Sequence, residues 1–255
     1  MPARLRVFIT GASSGIGSAL AREYATQGAV LGLTARRRGL LDALATDIGG
    51  GAFCYAADVR DTQAMAEAAR SFIAQAGVPD IVIANAGIAI GTLTQHAEDI
   101  QIFQDIIDTN LLGVVKTFQP FIAPMSAAGH GALVGMSSVA SFRGLPGASA
   151  YSASKAALNT YMESLRVELR GSGVDVITIC PGYIRTPMTA VNPYPMPFII
   201  SAQSAARKII EAIASRKKFA VLPWQMAVTG AALRMMPRSL YALLFAKAPH
   251  KPRKA

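Results

Sequence analysis

The sequence predicts an α/β fold: a doubly wound, seven-stranded parallel sheet with helices on both faces, in one domain that ends in a helical extension. Three observations lead there. Seven short apolar runs alternate with longer amphipathic stretches, the pattern of repeated strand–helix–strand units. A glycine-rich turn joins the first run to the first amphipathic stretch, where such a unit needs a tight corner. The 255 residues are 52% hydrophobic and 16% charged, enough apolar material for a sheet buried on both faces and too apolar for a disordered chain.

The strands are read at Arg6–Thr10, Val30–Thr34, Gly51–Ala56, Ile81–Ala84, Ala132–Met136, Val174–Cys180 and Phe219–Leu222. Helical stretches fill about 15–27, 38–48, 62–76, 98–126, 150–171 and 201–215. Right-handed crossovers between parallel strands then wind the sheet in both directions. The segment 183–200 has no clear period and is rich in Pro and Met. A long loop of that kind inside a compact domain is usually functional.

Composition excludes several classes. The two cysteines, Cys54 and Cys180, sit in apolar runs and make neither a disulfide framework nor a metal cluster. They are read as small core residues of a chain kept in a reduced cytosol. His96, His130 and His250 are scattered and lack metal-ligand spacing. The start of the chain does not show the charged, apolar and cleavable order of a secretory signal, and no stretch of roughly 18 residues is continuously apolar, so no spanning helix is expected. The net charge of +10 is uneven. Residues 1–206 carry 14 basic and 14 acidic side chains, and residues 207–255 carry 11 basic side chains against one acid, Glu211. No nucleic-acid-binding module accompanies that charge.

Thr10-Gly11-Ala12-Ser13-Ser14-Gly15-Ile16-Gly17 follows the first strand and opens the first helix. Glycines let this backbone approach a pyrophosphate, and the helix start offers unpaired N–H groups and a positive dipole end. After the second strand, Arg36, Arg37 and Arg38 stand where a carboxylate would bind a ribose 2′-hydroxyl, and position 35 is Ala. Arginine suits a 2′-phosphate, which points to NADP(H) over NAD(H). Three cations are also poorly placed at a helix start unless an anion balances them. Farther on, Tyr151 and Lys155 lie one helical turn apart on one face. The ammonium is expected to lower the phenol's pKa, which lets Tyr151 act as acid or base. Ser138 follows the fifth strand, at the sheet edge where ligands of such folds bind.

Taken together and in order, these features resemble the short-chain dehydrogenase/reductase family, from about residue 4 to 222. Asp58-Val59 after strand three, Asn85-Ala86-Gly87 after strand four, Asn110, and Pro181-Gly182-x-Ile184-x-Thr186 after strand six complete the set. The resemblance implies a Rossmann-type catalytic domain over 1–222. It implies NADP(H)-dependent reduction of a carbonyl, or oxidation of an alcohol, by hydride transfer, with Asn110, Ser138, Tyr151 and Lys155 catalytic. Gly11, Ser13 and Ile16 would line the pyrophosphate and ribose, with Ser14, Gly15 and Gly17 in the same turn. Asp58 and Val59 would meet the adenine, and Asn85 would brace the sheet beside the cofactor. Asn110 would kink its helix and hold a water that links Lys155 to solvent. Lys155 would also bind the nicotinamide ribose, and Pro181 to Thr186 would hold the carboxamide. Family members pair through the helices here at 98–126 and 150–171, which implies a homodimer or homotetramer.

The substrate loop, about 183–203, carries Met188, Val191, Tyr194, Met196, Phe198, Ile199 and Ile200. These side chains either receive an apolar substrate or pack down on the core. Residues 223–255 form the basic, apolar extension. It is expected to cap the pocket or bury against a second subunit; the alternative is peripheral contact with a membrane surface. Two narrower or competing functions stay open beside a cytoplasmic carbonyl reductase: a membrane-surface lipid reductase similar to ketosphinganine reductases, and a non-catalytic NADP(H)-binding regulator.

Overall fold

The computed structural model describes residues 4–246, 248–249 and 251–253. Its strands are β1 (Arg6–Thr10), β2 (Val30–Ala35), β3 (Ala52–Ala56), β4 (Ile81–Ala84), β5 (Gly131–Met136), β6 (Val174–Pro181), the two-residue β7 (Ile184–Arg185) and β8 (Ile200–Ser201), and β9 (Phe219–Leu222). The helices are α1 (Gly15–Thr26), α2 (Arg38–Asp47), α3 (Thr62–Ala76), α4 (Asp99–Ile107), α5 (Gly113–Ala128), α6 (Ser149–Glu168), α7 (Pro187–Ala190), α8 (Ala202–Ala214), α9 (Trp224–Met235) and α10 (Arg238–Phe245).

Seven strands form one parallel sheet in the order β3-β2-β1-β4-β5-β6-β9. The winding direction reverses between β1 and β4, which opens a crevice at their C-terminal ends. Alternation along β1 shows why the strands read as continuous apolar runs. Val7 and Ile9 enter a core with Leu20, Tyr24, Leu41 and Ile209, whereas Phe8 enters a second core with Phe72, Phe118, Phe121 and Met162. The first core lies under α1, α2 and α8, the second under α3, α5 and α6. Phe8 and Phe121 meet at 4.8 Å between ring centroids.

The predicted strands and helices are present, with ends shifted by at most three residues. Gly51, at φ +80°, leaves β3 one residue short. Helix α6 stops at Glu168, ahead of Gly171 and Gly173, both at positive φ. The stretch read as one helix over 98–126 is α4 and α5 joined by a π-helical turn at Asp108–Leu112. That turn carries Asn110, the position expected to kink the helix, and such turns often mark functional positions.

The extension packs onto the sheet domain. Met226 lies so close to Gly182 that a Cβ there would come within 2.6 Å of it. Arg143 donates to the Met236 carbonyl (2.7 Å) and stacks over the Tyr241 ring. The Tyr241 hydroxyl donates to the Gly144 carbonyl (2.7 Å). The chain then returns across the molecule, where the Gly91 amide donates to the Pro252 carbonyl (3.0 Å). Among the described residues, no helix is long and apolar enough to cross a membrane. Lys247, His250 and Lys254 lie outside the described residues.

Candidate active site

The crevice at the winding reversal is a cleft built from the ends of β1, β2, β3, β4, β5 and β6. Its floor is the turn between β1 and α1. Gly11 is at φ +65°, and a Cβ on it would meet the Ala86 backbone at 2.8 Å. Gly17 is tighter still: a Cβ would stand 2.3 Å from the Gly11 carbonyl oxygen and 2.6 Å from Asn85 Nδ2. Asn85 holds the turn from the other side. Its amide donates to the carbonyls of Thr10 (3.0 Å) and Gly11 (3.2 Å). Ser14, the residue before α1, makes no capping hydrogen bond with its side chain. The first N–H groups of α1 thus remain free to bind an anion.

Arg36 and Arg37 form one wall with Asp58 and Val59. Arg37 reaches over the turn to the Ser13 hydroxyl (3.2 Å). Arg38 points away and pairs with Asp42 (2.8 Å). Asp58 does line the cleft, but Arg60 grips its carboxylate through Nε and Nη2 (2.8 Å at the nearest). These hydrogen bonds hold the Asp58 pKa below its usual value, opposed by burial. Arg60 also bridges to Asp105 (3.0 Å). The sequence reading did not single out Arg60; its position two residues after Asp58 was the available sign.

The opposite wall carries the titratable groups. Ser138 stands two residues beyond β5 and is buried, and its Oγ accepts from the Ala140 amide (3.1 Å). Tyr151 and Lys155 come from the first two turns of α6. Burial pushes the Tyr151 phenol above its ordinary value, opposed by the nearby Ser138 hydroxyl. Burial brings Lys155 down to about 8. The expectation that the ammonium lowers the phenol's pKa is therefore not met. The reason is geometric: Lys155 Nζ donates to the Met136 carbonyl (2.7 Å) and stands 5.9 Å from the Tyr151 ring centre.

Two residues expected in the site lie behind it. Gly17 is not in the cleft wall, because it fills the space between the turn and the start of α1 where no side chain fits. Asn110 is fully buried, and its amide clamps the backbone after β4. Oδ1 accepts from the Ile88 amide (2.8 Å), and Nδ2 donates to the Ile88 carbonyl (2.9 Å) and to Ser154 Oγ (3.1 Å). It reaches the cleft through Ile88, which lines it, and across Gly87, where a Cβ would meet Asn110 Oδ1 at 3.2 Å and Lys155 Nζ at 3.7 Å. The other expected residues line the cleft: Gly11, Ser13, Ser14, Gly15, Ile16, Asn85, Ala86, Gly87, Pro181, Gly182, Ile184 and Thr186.

The substrate loop covers the open side. Met188 and Thr189 reach the cleft, and burial, with smaller contributions from Tyr183 and Tyr151, raises the Tyr194 phenol above its ordinary value. None of residues 191–200 is fully buried, and at the end of the segment Ile200 packs against the first core. The end of the chain straps the loop to α4. Lys251 Nζ donates to the Met188 carbonyl (3.0 Å). Arg253 pairs with Asp99 (2.8 Å) and Glu98 (2.8 Å), and Asp99 is otherwise almost fully buried. No sequence pattern links positions so far apart. Arg253→Ala is expected to lower the melting midpoint and raise KM with little change in kcat, because the loop loses its anchor rather than its chemistry. An unchanged KM would show that the strap does not act on the loop.

Lys155 also predicts a pH dependence. Its folded pKa is depressed below the unfolded value of about 10.4, so between about 8 and 10.4 the unfolded chain binds more protons and stability rises with pH. The destabilisation is complete below pH 8. Relative to Lys155→Met, the wild-type protein should gain on the order of 3 kcal/mol between pH 7 and pH 10.5, read from denaturant midpoints. A pH-independent difference would contradict the burial of a charged ammonium.

The short chain dehydrogenase family model matches residues 6–194. An uncharacterized oxidoreductase of Myxococcus xanthus (strain DK1622) is 39% identical over 236 residues, 91% of this chain and 93% of that protein. Among solved structures, a short-chain dehydrogenase from Streptomyces avermitilis superposes with a TM-score of 0.81 at 25% identity, covering 94% of this chain and 95% of that one. An alcohol dehydrogenase from the archaeon Thermococcus sibiricus, complexed with 5-hydroxy-NADP, gives a TM-score of 0.77 at 25% identity, covering 86% and 96%.

Proposed function

The chain belongs to the short-chain dehydrogenase family, and on that premise we propose that it is an NADP(H)-dependent oxidoreductase interconverting a carbonyl and an alcohol on a hydrophobic substrate. The observation that carries the reading is one cleft in which Ser138, Tyr151 and Lys155 face a glycine turn flanked by Arg36 and Arg37.

The residues present fit the dinucleotide. The backbone at Gly11 and Gly15 and the start of α1 would take the pyrophosphate. Arg36, Arg37 and Ser13 would take the 2′-phosphate, and the absence of a carboxylate at Ala35 favours NADP(H) over NAD(H). Asp58 and Val59 would meet the adenine, with Arg60 fixing the carboxylate. Tyr151 and Lys155 would hold the nicotinamide ribose, and Pro181 to Thr186 the carboxamide. When bound, the nicotinamide accepts or supplies the hydride.

The chain's own groups manage the proton. Ser138 and Tyr151 hydroxyls hold the substrate oxygen. Tyr151, kept neutral by its raised pKa, donates its proton to that oxygen as the carbonyl is reduced and takes it back in the reverse direction. Lys155, bonded to the Met136 carbonyl, contributes through the ribose and not by lowering the Tyr151 pKa. Asn110 acts as a positioning residue through the Ile88 backbone. The apolar side chains Met188, Tyr194 and Met196 suit a hydrophobic substrate. We also propose that copies pair as a dimer or tetramer through α4–α5 and α6, where Ile100 and Val167 are exposed; light scattering tests it.

The cofactor assignment is tested by Arg36→Ala/Arg37→Ala. One lost charge-assisted hydrogen bond is worth about 1.5–3 kcal/mol, or roughly 10- to 150-fold in affinity. KM for NADPH should rise by at least that factor, while KM for NADH changes little. An equal loss for both cofactors would remove the argument for NADP(H).

A further inference from the structure

The outer faces of α9 and α10 show an inverted pattern. On α9, Trp224, Val228, Ala231 and Met235 follow one helical stripe, and that stripe faces solvent. Trp224 is 70% exposed and Met235 84% exposed. On α10, Leu240, Leu243 and Leu244 face outward, while Tyr241 and Phe245 stack on each other on the inner side. Helices apolar on both sides are normally covered, and adjoining large apolar side chains left in water mark an interaction surface.

The charge identifies the partner. Arg234 and Arg238 sit at the junction of the two helices, with Lys217 and Lys218 just before β9, and no Asp or Glu follows Glu211 anywhere in the chain. A second copy on this face would be related by a twofold axis. The two faces would then both bring Arg234 and Arg238, and no acid on these helices could pair with them. An anionic surface with an apolar interior satisfies both features together: Trp, Met and Leu enter the headgroup boundary, and the arginines meet phosphates.

We propose that the α9–α10 face docks the protein on the surface of an anionic lipid bilayer. The helices lie in the plane of the interface and do not span it. Gly182, against which the inner side of α9 packs, lines the cleft, so the docked face and the cleft share one helix.

Trp224 is the chain's only tryptophan, so the unmodified protein carries its own probe. Its emission should shift to the blue when phosphatidylcholine vesicles containing phosphatidylglycerol are added, and the shift should reverse as salt is raised. Pure phosphatidylcholine vesicles should produce little shift. In flotation, Arg234→Gln/Arg238→Gln should bind anionic vesicles roughly 25-fold more weakly, about fivefold for each cation near the surface. Trp224→Ser/Leu243→Ser should lose flotation with an unchanged melting midpoint. The proposal is overturned if anionic vesicles leave Trp224 emission unmoved. It is equally overturned if Trp224→Ser/Leu243→Ser floats like the parent, or if that variant dissociates an oligomer in light scattering while the parent ignores vesicles.

Discussion

Tyr151→Phe is expected to lower kcat for carbonyl reduction by a factor of about 10²–10⁴, the contribution of a positioned general acid. The ring is retained, so packing at the start of α6 should be undisturbed, and NADPH should still quench or enhance fluorescence on binding, with an affinity lowered at most about tenfold, the worth of one ribose hydrogen bond. The two readouts separate chemistry from cofactor binding. The raised pKa of the phenol adds a direction: at neutral pH the group is protonated and ready to donate. If the variant kept parent-like turnover, the proton would have to come from another group, and the reading of this wall of the cleft would fail.

Gly17→Ala should produce the second large effect, by a different route. A methyl group at this position would overlap the Gly11 carbonyl oxygen and the Asn85 amide, both held by backbone and hydrogen bonds. The turn must move outward, and overpacking of this kind costs about 1–3 kcal/mol in stability. The effect on cofactor affinity should be larger than on stability, because the displaced turn carries the N–H groups that would face the pyrophosphate. Calorimetric titration with NADPH, set beside a thermal melt, distinguishes the two. Retained tight binding would show that the turn does not hold the dinucleotide.

Gly17 also illustrates what could and could not be read before the fold was known. The spacing of glycines marked a tight strand-to-helix corner, and the strand pattern marked the sheet, because both are local or periodic properties of the chain. Whether a given glycine faces a ligand or another piece of backbone depends on packing, and the sequence does not distinguish Gly15 in the cleft from Gly17 beneath it. Asn110 is a similar case. Its position on a bent helix was legible, but its bonds to Ile88 and Ser154 join elements 22 and 44 residues away. The Tyr151–Lys155 spacing placed both groups correctly on one helix face and misjudged their electrostatics. Burial and the Met136 carbonyl, which determine those pKa values, belong to the tertiary structure. Arg253 lay furthest from view, since its partner Asp99 is 154 residues earlier.

That last contact gives the molecule a reporter of its own motions. The Gly91 N–H is bonded to the carbonyl of Pro252, between the two side chains that fasten the loop and α4. Its deuterium uptake should therefore count how often the chain end lifts away, on the timescale of local opening. A ligand that presses Met188 inward would slow that uptake at a site it never touches, so a single amide can register occupancy of the cleft from outside it.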